Sequence, residues 1–371
     1  MKIKIATRNV INRFYSRVTF RDYSELKDKK HITIHTFPRI NSKSALLEFI
    51  NKVKWMCAGD ESIKIFIPVD QSLVNIKIEE EQPPANERNY LQNYLNIHLV
   101  SEYTSVNTID LFFCLKWKQL WKIPKFKLLK KTIVFDKNFL SLTESNILRN
   151  FYSYLQKDQD WKHYDQISKN NFLQLVKDKS SFEKSICYVT GPSFSNYKHH
   201  PAPTNCIKII CNSIVKNEAF LKYIKGPDII TFADPVFHFS SNEYSAYFRD
   251  LVDKVYREYK PYIIIPMQNV PLILKHYPHW EQRIIGLKSN NSFVIPNPDN
   301  LSTQVSSNIL TLFMLPIAAS LSTNINIMGA DGREKKESYF WKHNNSVQLV
   351  DKMNHVFISH PSFFRDRDYS D

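Results

Sequence analysis

Five short polar stretches in the second half of this chain follow apolar runs, and their residue types suit the holding of an anion. They are Thr190-Gly191-Pro192-Ser193, Asn212-Ser213, Asp234-Pro235, Gln268-Asn269 and Asp331-Gly332-Arg333. The first is the most pointed. Gly191 and Pro192 favour a tight turn, and the turn's amides together with the Ser193 hydroxyl offer several donors to one phosphate. Taken singly, each stretch is also ordinary material for turns and helix caps. Their recurrence after successive apolar runs argues for a shared edge, because ligands of an open parallel sheet bind beyond the carboxyl ends of its strands.

Such an edge presupposes strands. The sequence predicts them at 185–190 (SICYVT), 206–212 (CIKIICN), 228–234 (DIITFAD), 262–267 (YIIIPM), 283–288 (RIIGLK) and 325–331 (INIMGAD). Most are continuous apolar runs, as expected of parallel strands covered on both faces. Helix-length segments at 242–260 and 306–321 alternate with them, and the latter is apolar nearly all round and so expected at the centre. The fold class is therefore α/β, with a Rossmann-like parallel sheet flanked by helices in the C-terminal half, residues 181–371. Residues 1–180 carry shorter apolar runs at 31–37, 62–69, 108–115 and 132–135. They read as a smaller N-terminal α/β domain with a helical connector near 141–180, and its position alone assigns it acceptor binding.

Composition narrows the partners. The 371-residue chain is 43% hydrophobic and 23% charged, with 25 Phe and 19 Tyr, which is the composition of a folded protein. No apolar run reaches the roughly 18 residues that a membrane helix needs, and the N-terminus lacks a signal-peptide core, so a cytoplasmic location is expected. Cys57, Cys114, Cys187, Cys206 and Cys211 are scattered without metal-ligand spacing and suit buried, reduced thiols. A formal net charge of +14 calls for an anionic partner. The cations lie spread along the chain with no RNA-binding signature, so nucleic acid is not the expected partner. An anionic glycan fits, as does peripheral contact with the inner membrane.

The region 181–371 has a fixed order of motifs: a strand ending in Gly191-Pro192-Ser193, one ending in Cys211-Asn212, Val305-Ser306-Ser307 opening an apolar helix, and a strand ending Gly329-Ala330-Asp331. In that order it resembles the bacterial sialyltransferases of glycosyltransferase family 42 and, more loosely, capsule and lipopolysaccharide transferases that use CMP-linked sugars. The likeness implies contacts to a CMP-sugar donor at Gly191, Ser193, Asn212, Ser306 and Ser307. Pro192, Asp234, Asp331 and Gly332 lie in the same loops and complete the expected donor site. The chain departs from the family in having Thr190 where an Asn usually precedes that glycine, Asp234 where an Asn usually follows the third strand, and Gln304-Val305 where an Arg usually precedes the helix.

The resemblance further implies an inverting transfer of sialic acid, Kdo or a similar acidic sugar to a glycan or glycolipid acceptor, with CMP-sugar as substrate and no resident cofactor. Tyr339 matches the tyrosine that meets the leaving phosphate, and Arg333 and Lys342 are cations that this chain adds. A base must take the acceptor's proton, and an imidazole, with a pKa of about 6.5, suits that task. His343, His355 and His360 compete for it. His360 is favoured because it stands in a His-Pro turn where a helix should end and where its side chain can face a cleft. His199 and His200 beside the first loop are further phosphate contacts to weigh. Tyr339-Phe340-Trp341 offers rings for stacking on a sugar or base, although such clusters are more often core. Triplets such as Asp366-Arg367-Asp368 arise readily by chance, and no metal is assigned. Two other classes fit the same loops: an ATP- and magnesium-dependent diphosphokinase-like enzyme, and a non-catalytic nucleotide- or glycan-binding module.

Overall fold

The computed structural model describes residues 24–27, 29–75, 96–102, 109–122, 129–331 and 346–366. It is α/β, and the chain divides into two compact units, each with its own parallel sheet. The first unit is Met1–Lys157 with Ser240–Asn242 and Val356–Arg367. The second is Asp158–Phe239, Glu243–His355 and Asp368–Asp371.

In the first unit the strands are β1 (Ile32–Phe37), β2 (Ile63–Pro68), β3 (Ile97–Val100), β4 (Leu111–Cys114) and β5 (Thr132–Val134). They form one sheet in the order β3-β2-β1-β4-β5, parallel throughout. Four of them fall on the predicted apolar runs, whereas β3 (IHLV) is too short and too interrupted by His98 to announce itself. Between β1 and β2 runs α1 (Lys43–Cys57). The Ser42 hydroxyl caps it by accepting from the Ala45 amide at 3.4 Å. Leu46, Leu47, Phe49, Ile50, Val53 and Met56 recur every three or four residues and give it one buried stripe.

The second unit's strands are β6 (Lys184–Tyr188), β7 (Ile207–Cys211), β8 (Ile229–Thr231), β9 (Tyr262–Pro266), β10 (Ile284–Asn290), β11 (Ser302–Gln304) and β12 (Asn324–Met328). Their order is β11-β10-β9-β8-β7-β6-β12, again with parallel pairing. All six predicted strands are present. Only β11, whose three residues Ser302-Thr303-Gln304 carry no apolar signature, goes unannounced. Ile207, Ile209, Ile210, Ile229, Ile230, Ile263, Ile264 and Ile265 are completely buried, and each contributes about 1.5–3 kcal/mol by leaving water. These central strands explain why continuous isoleucine runs, rather than alternating ones, mark this half.

The predicted connector near 141–180 is a pair of helices, α2 (Ser141–Tyr154) and α3 (Asp158–Lys179), and the unit boundary at Lys157 assigns α3 to the second unit. Segment 242–260 forms α4 (Glu243–Tyr259). Segment 306–321 departs from the expectation of one regular central helix. It begins as a π turn (Leu310–Met314) and only then becomes α5 (Leu315–Leu321). Pro316 supplies the reason, since it has no amide to offer the carbonyl four residues earlier and its ring crowds that carbonyl, so the preceding turn widens. One face is buried, through Phe313, Met314, Pro316, Ile317 and Ala318, and the other is half-exposed. All five cysteines are free and buried, and burial pushes the Cys114 and Cys187 thiols up to about 12. Among the described residues no helix is long and apolar enough to cross a membrane.

Candidate functional site

Strand order locates the crevice of the second unit. From β6 to β11 the chain advances across the sheet in one direction, and β12 then returns to the far side of β6. The switch point lies between β6 and β12, the place in an open parallel sheet where a ligand is expected. Residues 190–193 follow β6 and residues 329–331 follow β12, so two of the predicted stretches meet there.

Their contacts are close. The Val189 amide donates to Met328 O and the Gly191 amide to Gly329 O, both at 2.8 Å, and the Ser193 amide donates to Asp331 Oδ2 at 2.6 Å. A Cβ on Gly191 would lie 2.2 Å from Gly329 O, and one on Gly329, which has φ +81°, would lie 2.1 Å from Val189 O. Both glycines are therefore demanded by the approach of one backbone to the other. The same contacts qualify the expected phosphate turn, because a carboxylate of the chain itself already occupies the Ser193 amide.

Asn212 stands on the neighbouring strand. β6 and β7 pair with Tyr188 opposite Ile210, which sets Thr190 level with Asn212. Asn212 adopts φ +49°, and its Oδ1 is buried without a hydrogen-bond partner among the described residues. A buried acceptor left in that state costs about 1–3 kcal/mol unless something donates to it. Beyond it the 3-10 turn Asn212–Lys216 anchors a later segment. Ser213 Oγ donates to Val347 O at 2.6 Å, Lys216 Nζ to Gln348 O at 2.9 Å, and Asn217 Nδ2 to Ser346 Oγ at 3.4 Å. Gly332, Arg333, Tyr339, Phe340, Trp341, Lys342 and His343 lie outside the described residues, between this anchored segment and Asp331. So do Arg367 and Asp368 of the acidic triplet.

Other expected donor contacts have structural work. Asp234 Oδ1 accepts from the amides of Val236 (2.8 Å) and Phe237 (3.1 Å), closing the turn after β8, and its own amide donates to His238 Nδ1 at 2.9 Å. That bond fixes His238 as the Nε2–H tautomer, and burial pushes its pKa down to about 3. Ser306 Oγ pairs with Thr311 Oγ1 at 2.6 Å and accepts from the Asn308 amide at 3.2 Å, so it closes its own turn. Ser307 is exposed, as are His199 and His200.

The three competing histidines separate clearly. His360 belongs to the first unit and is 1% exposed, so it does not face a cleft as expected. Its Nε2 lies 2.7 Å from Ser240 Oγ, and its Nδ1 lies 3.0 Å from Glu144 Oε1. Glu144 is held further by Lys52 Nζ at 3.2 Å and Ser362 Oγ at 3.3 Å. Hydroxyl, imidazole and carboxylate follow one another as in a nucleophilic triad, but Ser240 is itself 1% exposed, so no substrate carbonyl reaches it. His355, in the second unit, has Nε2 2.9 Å from Glu243 Oε2 and is exposed to solvent.

Sequence reasoning passed over Tyr244, beside Glu243. Its phenol bonds Ser213 and lies near Asp234, and burial foremost, then that carboxylate, raise its pKa and keep it protonated. Its only sequence signal is its place in the first turn of α4. No protein-family model, curated protein or solved structure matches this chain. The likeness to CMP-sugar transferases accordingly rests on the residues named above.

Proposed function

We propose that the protein is an inverting glycosyltransferase that moves an acidic sugar, sialic acid, Kdo or a relative, from a CMP donor to a surface-glycan acceptor. The observation that carries this reading is the meeting of Gly191–Ser193 with Gly329–Asp331 at the switch point of a seven-stranded parallel sheet. Asn212 supports an amino-bearing base over uracil, and the likeness to CMP-sugar transferases favours cytosine among such bases. Its unsatisfied carboxamide oxygen needs a donor, and the exocyclic amine of cytosine is one, whereas uracil presents a carbonyl at that position.

In this mechanism the acceptor hydroxyl attacks the anomeric carbon as the bond from that carbon to the phosphate oxygen breaks, and CMP leaves with the bonding electrons. The Ser193 hydroxyl, with Tyr339 and Arg333, meets the leaving phosphate. His355 takes the acceptor's proton. Of the three histidines weighed for the base, it is the described one that combines membership of the second unit, solvent access and a carboxylate, Glu243, to orient its ring. His360 holds the first unit together instead.

Equilibrium binding of CMP, UMP and ATP, the last with and without magnesium, tests the site, and transfer from CMP- and UDP-sugars tests the reaction. CMP should bind about tenfold or more tighter than UMP, and Asn212→Ala should erase that preference. His355→Ala should lower kcat by about 100-fold or more while leaving the CMP affinity in place. Equal binding of CMP and UMP by the wild type, or full transfer by the His355 variant, overturns the assignment. Tighter binding of ATP with magnesium than of CMP would favour a phosphotransfer enzyme.

A further inference from the structure

The first unit has a switch point of its own. Its chain runs from β1 through β2 to β3 in one direction and returns to β4 and β5 on the other side of β1, so the carboxyl ends of β1 and β4 diverge. A crevice of about 670 Å³ opens there, lined by the loops after β1, β4 and β5 and by one face of α1. That volume lies within the range of about 300–1,000 Å³ typical of small-molecule sites.

The lining is cationic, and part of that charge is unspent. Arg39, Lys52, Lys116, Lys118 and Lys137 stand against two carboxylates, Glu48 and Asp136. Lys137 is paired with Glu48 at 2.7 Å and Lys52 with Glu144 at 3.2 Å, and Arg39 donates to the Ser101 carbonyl. Asp136 accepts from the amides of Trp117 and Asn138, each at 2.9 Å, so its charge is tied to the loop that it folds. Lys116 and Lys118 are exposed and have no ion-pair partner among the described residues. The first turn of α1, which opens onto the same space through Ser42 and Ala45, carries no acidic residue to offset its positive end. The rest of the wall is apolar and aromatic, with Ile40, Phe49, Trp117 and Phe135 contributing.

From this arrangement we infer a second binding site, for a phosphorylated ligand with a planar ring, of the nucleotide class. The ring lies against the aromatic wall, and the phosphate lies between the two free ammonium groups and the start of α1. Doubly wound sheets with this strand order hold nucleotides at the same place in their topology. The site shares no residue with the cytidine site proposed for the second unit and stands or falls apart from it.

Calorimetric titration of the full chain with AMP, adenosine and inorganic phosphate tests the inference. AMP is chosen because it carries a ring and a phosphate together, and the Asn212→Ala variant separates binding at the second unit from binding here. AMP should bind about tenfold tighter than either adenosine or phosphate alone, because only AMP engages both walls. The double variant Lys116→Glu, Lys118→Glu should weaken AMP by about tenfold or more. Both side chains are exposed, so the circular dichroism spectrum should be unchanged. Asn212→Ala should leave AMP affinity as it was. AMP binding no tighter than phosphate, or a change below about threefold in the lysine variant, overturns the site. Loss of AMP in Asn212→Ala with retention in the lysine variant would move the ligand to the second unit and overturn it too.

Discussion

At the switch point of the seven-stranded sheet the Ser193 amide is met by Asp331 at 2.6 Å, whereas at that of the five-stranded sheet Lys116 and Lys118 meet no carboxylate among the described residues. Both sheets are parallel, and both reverse their winding beside the first strand of their unit. Topology therefore marks a switch point in each, while the residues of the loops decide whether it stands open or is already filled by the chain. The second unit sets a carboxylate of its own on the Ser193 amide and leaves a buried acceptor, Asn212 Oδ1, without a donor among the described residues. In the first unit the carboxylates of the crevice go into loop closure and ion pairs, and the free cations remain. Parallel sheets alike in winding thus differ in what they ask of a ligand.

The largest effect expected from breaking this contrast is at Glu144, where the first unit concentrates its buried charge. Its carboxyl is held below the usual carboxylate range against the opposing penalty of burial, by the charges of His360 and Lys52 and their hydrogen bonds. Glu144→Ala leaves the Lys52 ammonium and the His360 ring without their carboxylate and should destabilise the first unit by about 3–5 kcal/mol. Hydrogen exchange resolved by peptide reads this directly. Amides of β1 and β4 should lose protection, and those of β7 and β9 should keep theirs. Equal loss in both units would show that the two sheets unfold together and that the contrast between them has no thermodynamic meaning.

Acid should affect the two units in parallel, since each contains an imidazole that burial keeps neutral, His35 in the first and His238 in the second. Burial pushes His35 down to about 4, and burial with the nearby Arg249 pushes His238 down to about 3. In the unfolded chain each takes a proton near pH 6.5, while in the folded chain it does not, so the stability they confer is complete above about 6.5 and falls as the pH drops. The loss runs to about 4 for His35 and about 3 for His238. At pH 5 it amounts to about 2 kcal/mol for each group. Urea midpoints measured at pH 7 and pH 5 check it. His35→Phe should flatten the dependence for the first unit alone, because a phenyl ring can keep the stacking with Phe66, now 4.9 Å away. A midpoint independent of pH in the wild type would refute the burial argument for both residues.

How much of this was legible in the sequence follows from the same physics. Strands β6 to β10 were plain because a strand covered on both faces is apolar along most of its length, and runs such as Tyr262–Pro266 are too short and too rich in isoleucine for a helix. β3 and β11 were not, because an edge strand with polar residues carries no such mark. The loops after β6 and β12 could be named in advance from their glycines, yet their mutual contact could not, since strand order is a global property. His360 misled for the opposite reason. A His-Pro turn looks exposed in sequence, and only the packing around Ser240 and Glu144 buries it. The crevice between β1 and β4 escaped notice because Arg39, Lys116 and Asp136 sit on three separate loops without any motif.

The smallest effect bears most directly on the contrast, because it comes from making one edge resemble the other. Asp331→Asn keeps an oxygen that can accept from the Ser193 amide and removes the negative charge beside it. If the carboxylate competes with the donor phosphate, the variant should bind CMP about three- to tenfold more tightly at low salt, with the gain shrinking as salt rises. Weaker binding would mean that the charge itself, rather than the hydrogen bond, holds the turn in shape, and the proposed phosphate position would have to move away from Ser193. An unchanged affinity would show that phosphate never approaches Asp331. In that case Asn212 would remain the only described contact for the nucleotide, and the cationic crevice of the first unit would become the stronger of the two anion sites.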